Sequence, residues 1–142
     1  MKLPKQNITK YLLGGKSQVT LKNVKTGNTV SIRIEAGKKK AKGTFFIKCL
    51  SEYGNHAYVG FFKQNEAGET SQLFSSYKTC FSEDSKEWKT CAWLVEKIAS
   101  ESMPDAVEVH HNGSCSRCGR ELTDPDSIAS GFGPVCRKKL SI

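Results

Sequence analysis

Three cysteines in the last quarter of the chain set the tightest limit on how it folds. Cys115 and Cys118 are two residues apart, and Cys136 returns after seventeen more. Residues 111–142 carry few large apolar side chains: Leu122, Ile128, Phe132, Val135, Leu140 and Ile142. That is too little to fold the segment without a staple. A Cys-x2-Cys pair followed at once by Gly119 forms a knuckle that turns both thiolates toward one ion, and the glycine supports the tight turn. A structural zinc takes four ligands. The three thiolates leave one position, and His111 and His110 precede Cys115 by four and five residues. The expectation is one structural Zn2+ held by one histidine and three cysteines. A redox dithiol also uses Cys-x2-Cys, but beside a βαβ unit that this pattern lacks.

The residues between the ligands have their own local chemistry. Asp124 before Pro125 is an N-cap followed by a first helical position, which predicts one helical turn. Pro134 predicts a last short helix with Cys136 in its first turn, where the helix N-terminus favours a thiolate. In order, the segment reads His111-x3-Cys115-x2-Cys118-Gly119-Arg120-x-Leu122-Thr123-x-Pro125-x-Ser127-Ile128, then Gly131-x-Gly133-Pro134-x-Cys136. It resembles a small treble-clef-like zinc module found at the C-terminus of many uncharacterised phage and bacterial proteins. A β-rich first part with the module last also resembles the phage members. The resemblance implies a zinc site, a viral context, and ligation by Cys115, Cys118 and Cys136, with His111 favoured over His110. It supplies no activity.

Upstream, hydrophobic periodicity predicts an α+β fold. Residues 4–13 suit a short helix with Ile8, Tyr11 and Leu12 on one face and Gly14 as its stop. Alternating segments predict strands at 18–24, 29–35, 44–50 and 57–63, with a weaker fifth at 70–77. Lys25-Thr26-Gly27-Asn28 is turn chemistry, and His56 falls in the turn before the fourth strand. From about 84 to 101, Trp88, Cys91, Ala92, Val95, Ile98 and Ala99 recur at helical spacing, with Asp84 and Glu87 fitting an N-cap and its partner. Residues 105–109 read as a short further strand. The expected architecture is an antiparallel β-meander of about five strands covered by an amphipathic helix, residues 1–105, followed by a zinc-binding module, residues 106–142. A small oligonucleotide-binding barrel fits the strand content less well, because the long helix follows the strands.

The net charge of +8 is unevenly distributed. Residues 1–50 contribute +11, residues 51–110 contribute −5, and residues 111–142 contribute +2. Basic faces attract phosphate backbones and acidic protein surfaces. The sharpest cluster, Lys38, Lys39, Lys40 and Lys42, falls in a predicted hairpin loop, which gives affinity for phosphates without base readout. Lys22, Lys25 and Arg33, and Arg117, Arg120, Arg137 and Lys138 in the module, extend the candidate nucleic-acid footprint. A lysine-rich surface that only aids solubility is the plainer reading. Among the strand aromatics Phe45, Phe46, Tyr58, Phe61 and Phe62, alternation points Phe46 and Phe61 outward, where they could stack on bases; core packing accounts for the others.

Several functions are disfavoured. Gly14-Gly15-Lys16-Ser17 resembles the end of a phosphate-binding loop, but Lys10 stands where that motif needs glycine. A zinc deaminase needs Glu two residues after its histidine, where this chain has Gly113. No nucleophile, histidine and acid form a recognisable set, so no enzyme activity is expected. No apolar stretch suits a membrane span or a signal peptide, which predicts a cytoplasmic protein, in the host cell if phage-encoded, with reduced thiols. Cys91 reads as a buried small hydrophobe, and Cys49 and Cys80 carry no predicted role. Two readings remain: a non-enzymatic nucleic-acid-binding accessory protein, or an inhibitor or adaptor that docks on a host protein.

Overall fold

Apolar and polar residues alternate along five segments, and the fold follows from giving the apolar set one face. The computed structural model describes residues 1–141. The strands are β1 (Lys16–Asn23), β2 (Thr29–Ala36), β3 (Thr44–Leu50), β4 (His56–Lys63) and β5 (Val107–His111). They form one antiparallel sheet in the order β4-β3-β2-β1-β5. The first four are successive neighbours, as short hairpin connections require. The chain then returns to add β5 beside β1.

One face of the sheet is core. Val19 faces Ile32 across β1 and β2, Ile34 faces Ile47 across β2 and β3, and Phe45 faces Phe62 across β3 and β4. The last two rings stack with centroids 5.1 Å apart. Helix α1 (Ile8–Leu12) and helix α2 (Lys86–Ser100) supply the other side through Ile8, Tyr11, Leu12, Trp88, Cys91, Leu94, Val95 and Ile98, all buried. Each fully buried aliphatic side chain contributes about 1.5–3 kcal/mol relative to exposure. The predicted long helix is therefore present, but it starts one residue later than expected. Ser85 is its N-cap and accepts a 3.1 Å hydrogen bond from the Trp88 N–H. The predicted first helix is split into a 3₁₀ turn at Lys5–Asn7 and the short α1. Cys91 of α2 and Cys49 of β3 are both fully buried in this core.

The expected strand at 70–77 is not one of the five. That segment runs along the outer edge of β4 as a strap, with single bridges Gln64–Thr70 and Phe61–Phe74 and a further bond from the Cys80 N–H to the Tyr58 carbonyl. It pairs at isolated points because its backbone leaves the edge between them. The fifth strand is instead the segment at 107–111. The opposite edge, β5, is covered by residues 1–3, where the Leu3 N–H reaches the Val109 carbonyl and the His111 N–H reaches the Met1 carbonyl. Both exposed edges are thus blunted, which removes templates for pairing with another chain. His56 opens β4 rather than sitting in the preceding turn.

The expected division at residue 106 falls just before β5, so the cysteine segment continues directly from a strand of the sheet. Leu122, Phe132, Cys115 and Cys136 join the same buried cluster as the sheet residues.

The strap makes Gly60 essential. A Cβ there would lie 2.3 Å from the Phe74 carbonyl oxygen, a backbone atom that cannot move without breaking the Phe61–Phe74 bridge. Gly60→Ala should lower stability by roughly 1–3 kcal/mol and expose the β4 edge. Urea unfolding together with amide exchange at Phe61 and Phe74 checks this; unchanged stability and protection would show that the strap does not close on the sheet.

Candidate functional site

The three cysteines converge because two short devices aim them at one point. After β5 the chain turns through Gly113 and Gly119, both at positive φ, and the Gly119 N–H closes on the Cys115 carbonyl at 2.8 Å. This is the knuckle, steadied by a bridge between Ser114 and Glu121. Helix α3 (Pro125–Ser130) and helix α4 (Pro134–Leu140) then return the chain. Asp124 caps α3: Oδ2 accepts from the Ser127 N–H at 3.1 Å, and Oδ1 accepts from the Ser127 hydroxyl at 2.5 Å. Pro134 opens α4 and places Cys136 in its first turn, both as expected.

The Sγ atoms of Cys115, Cys118 and Cys136 all lie within 4.8 Å of one another. Tetrahedral Zn–S bonds of about 2.3 Å put sulfurs roughly 3.8 Å apart, so the three can close on one ion with small adjustments. Burial pushes the Cys115 thiol up, but backbone N–H groups of Gly133, Cys118 and Arg117 and the Cys118 thiol outweigh it and bring it down to about 7. Burial raises Cys136, helped by the neighbouring Cys115 and Cys118 and opposed by Arg117, whose Nη1 donates to its sulfur at 3.7 Å. The arrangement favours a shared cation, which would let all three sulfurs ionise together.

The expected fourth ligand, His111, is not brought into this set. Its Nε2 lies 2.6 Å from the Ile128 carbonyl, and its Nδ1 accepts from the Gly113 N–H at 3.0 Å. Both ring nitrogens are therefore engaged with backbone, and burial holds the imidazole below its usual pKa, in the neutral form those bonds require. The ring packs beside Tyr11, centroids 5.5 Å apart. His110, the alternative, points to the opposite side of β5 and bonds Glu108 at 3.1 Å. Among the described residues, three cysteines form the only such cluster of His, Cys, Asp or Glu donors.

Tyr11 lies on the buried face of α1 with Ile8 and Leu12, as periodicity predicts, and it also reaches the knuckle, which periodicity does not show. Its hydroxyl donates to the Ser114 carbonyl at 2.9 Å, and its ring meets both His111 and Phe132. A Cβ at Gly131 would strike the Tyr11 ring at 2.5 Å, and one at Gly14 would strike Ser116 at 2.1 Å. The N-terminal segment and the knuckle are therefore fitted to each other. The only sequence signal was a tyrosine among aliphatic positions, which asks for a hydroxyl partner.

The candidate basic residues separate into four places. Lys38, Lys39, Lys40 and Lys42 flank or form a 3₁₀ turn, Lys39–Ala41, between β2 and β3, and all four are exposed. Arg33 stands mid-strand on the sheet face away from the helices and is bonded to Gln18. A groove of about 400 Å³ joins these regions, lined by Lys16, Gln18, Arg33 and Lys38 and ending at Asn112 and Gly119 of the module. Lys22 and Lys25 lie at the other end of β1, away from the lysine turn. In the module, Arg117 and Arg120 line a cleft of about 470 Å³ beside Cys118 and Cys136, while Arg137 pairs with Asp124 at 3.7 Å and Lys138 is exposed.

The site is thus a cluster of three cysteines that could hold a metal ion, on a small two-helix module. Residues 106–141 match the model of DUF6011, a family of unknown function. No curated protein and no solved structure matches the chain. No helix among the described residues is long and apolar enough to cross a membrane.

Metal analysis tests the ligand set. Cys118→Ser or Cys136→Ser should abolish stoichiometric metal binding, whereas His111→Gln should keep one ion per chain while lowering the melting temperature, because only its backbone bonds are lost. Loss of the metal from His111→Gln would return the histidine to the coordination shell.

Proposed function

We propose that this chain is a non-enzymatic, phage-type nucleic-acid-binding protein whose module is folded by one structural Zn2+. The observation that carries the reading is the groove linking Lys38 and Arg33 to the module, with the exposed lysine turn at one end. Lysines on a turn neutralise phosphates without reading bases, so affinity is expected to be sequence-independent. Zinc in this setting supplies folding energy, with Cys115, Cys118 and Cys136 as three of its four ligands. Its role is to fix the module against the sheet so that both contribute to one basic surface. Cytoplasmic action, with thiols kept reduced, suits a thiolate centre.

The second reading is an inhibitor or adaptor that binds an acidic host protein through the same basic surface. The unequal charge of the chain, +11 in residues 1–50 against −5 in residues 51–110, supports it equally on electrostatic grounds. The two diverge in dependence on phosphate number.

For the first reading, binding of labelled DNA and RNA should weaken steeply between about 50 and 200 mM salt. Replacing Lys38, Lys39, Lys40 and Lys42 by alanine should flatten the log–log salt slope on duplex DNA by as much as about 3.6. An unchanged slope would take the lysine turn out of the interface. Absence of binding at low salt, with a nuclease-resistant protein partner recovered instead, would favour the adaptor.

A further inference from the structure

We propose that single-stranded nucleic acid lies across the open face of the sheet, its bases stacked on Phe46, Tyr58 and Phe61 and its phosphates met by Arg33, Lys48 and the lysine turn. This rests on the nucleic-acid reading above and names the substrate class and the surface.

The argument begins with the two faces of the sheet. The helices α1 and α2 cover the face carrying Val19, Ile32, Ile34, Ile47 and Phe62. The opposite face presents Gln18, Thr20, Ser31, Arg33, Phe46, Lys48, Tyr58 and Phe61, every one of them partly exposed and none buried. Among the described residues no helix lies over it. A half-solvated face of an antiparallel sheet is ordinarily polar. Here its β3–β4 corner is aromatic. Phe46 stands directly opposite Phe61 in the strand register. Phe46 and Tyr58 have ring centroids 6.4 Å apart, and Phe61 leans on Phe74 of the strap at 5.5 Å. Phe74 is itself 39 % exposed. The core already holds Phe45 and Phe62 from the same strands, so these outer rings are not needed to fill it.

The cations beside the rings are ordered by register. Arg33 of β2 pairs with Lys48 of β3, and Lys48 pairs with Tyr58 of β4. This row runs across the sheet at the strand spacing of about 4.8 Å. The adjacent row runs Lys16, Glu35, Phe46, Phe61. Glu35 is the one acid in it; it sits 3.9 Å from the Lys48 ammonium, which offsets its repulsion of phosphate. Beyond this row, at the same end of the sheet, lies the lysine turn: the Gly37 N–H bonds the Thr44 carbonyl where β3 begins. The imidazole of His56, at the start of β4, has a buried Nε2 with no partner and feels both Arg33 and Lys48, which together with burial lower its pKa.

Aromatic rings with interleaved cations are what a single strand requires, because unpaired bases expose π-faces that a duplex hides. A duplex offers only its phosphates to such a surface. The flat, side-chain-studded face would hold a single strand by both means, with little base preference, since every base has a π-face. A folded acidic protein would use the cations but would not need the rings.

The test uses the full chain loaded with zinc and three labelled probes: a thymidine strand of about 16 nucleotides, an abasic strand of the same length, and a duplex of that length. The thymidine strand should bind about tenfold or more tighter than the abasic strand. The double variant Phe46→Leu with Phe61→Leu, which keeps apolar bulk and removes the rings, should erase that difference. Equal affinity of the wild-type chain for thymidine and abasic strands would overturn the stacking proposal while leaving the phosphate-binding reading in place. Failure of all three probes to bind at low salt would overturn both. If the variant does not fold, photo-crosslinking of a 5-iodouridine strand to the wild-type chain decides: adducts on the peptides holding Phe46, Tyr58 or Phe61 are expected, and adducts confined to the module or to the Lys22–Lys25 end would overturn the proposal.

Discussion

The module that follows β5 depends on three sulfurs meeting in a segment that cannot collapse by itself. Cys115, Cys118 and Cys136 come within 4.8 Å although the only large apolar side chains buried between them are Leu122 and Phe132. Bringing thiolates together without a cation would be unfavourable, since like charges repel and burial disfavours ionisation. A shared metal ion would turn that cost into folding energy for the module. The remaining devices are small and local: the Asp124 cap, the Pro134 start of α4, and glycines at positive φ in the knuckle. Each of these narrows the geometry that a metal ion would have to close.

The module is not an appendage on a tether. Tyr11 fills the space between β5 and α3, touching His111, Ser114 and Phe132, and Gly131 and Gly14 have no room for a side chain against it and Ser116. The basic residues of the sheet and of the module consequently keep a fixed relation, and one groove runs between them. A rigid relation between two cationic regions matters for binding a polymer, because the second contact is then made at high effective concentration.

Much of this was legible in the residues. Clean alternation in β2, the β-forming residues of β3 and the apolar stripe of α2 placed the core, and the Asp124-Pro125 and Pro134-Val135-Cys136 elements foretold both short helices and the position of Cys136. Outward projection of Phe46 and Phe61 followed from the pleat. The failures have physical causes. The segment at 70–77 has strand composition, but whether it pairs continuously depends on how closely its backbone meets Gly60, which composition does not encode. His111 has the right residue type and spacing for a ligand; the structure engages both its nitrogens with Ile128 and Gly113, a tertiary outcome that sequence spacing cannot see.

The central claim is that a metal held by three cysteines locks the module to the sheet through Tyr11. Amide hydrogen exchange on the zinc-loaded and the chelator-stripped chain measures this directly. The account predicts that stripping removes protection from residues 112–140 and weakens it in α1 and β5, while β2, β3 and α2 stay protected. Unchanged protection across residues 112–140 after the metal is gone would contradict it.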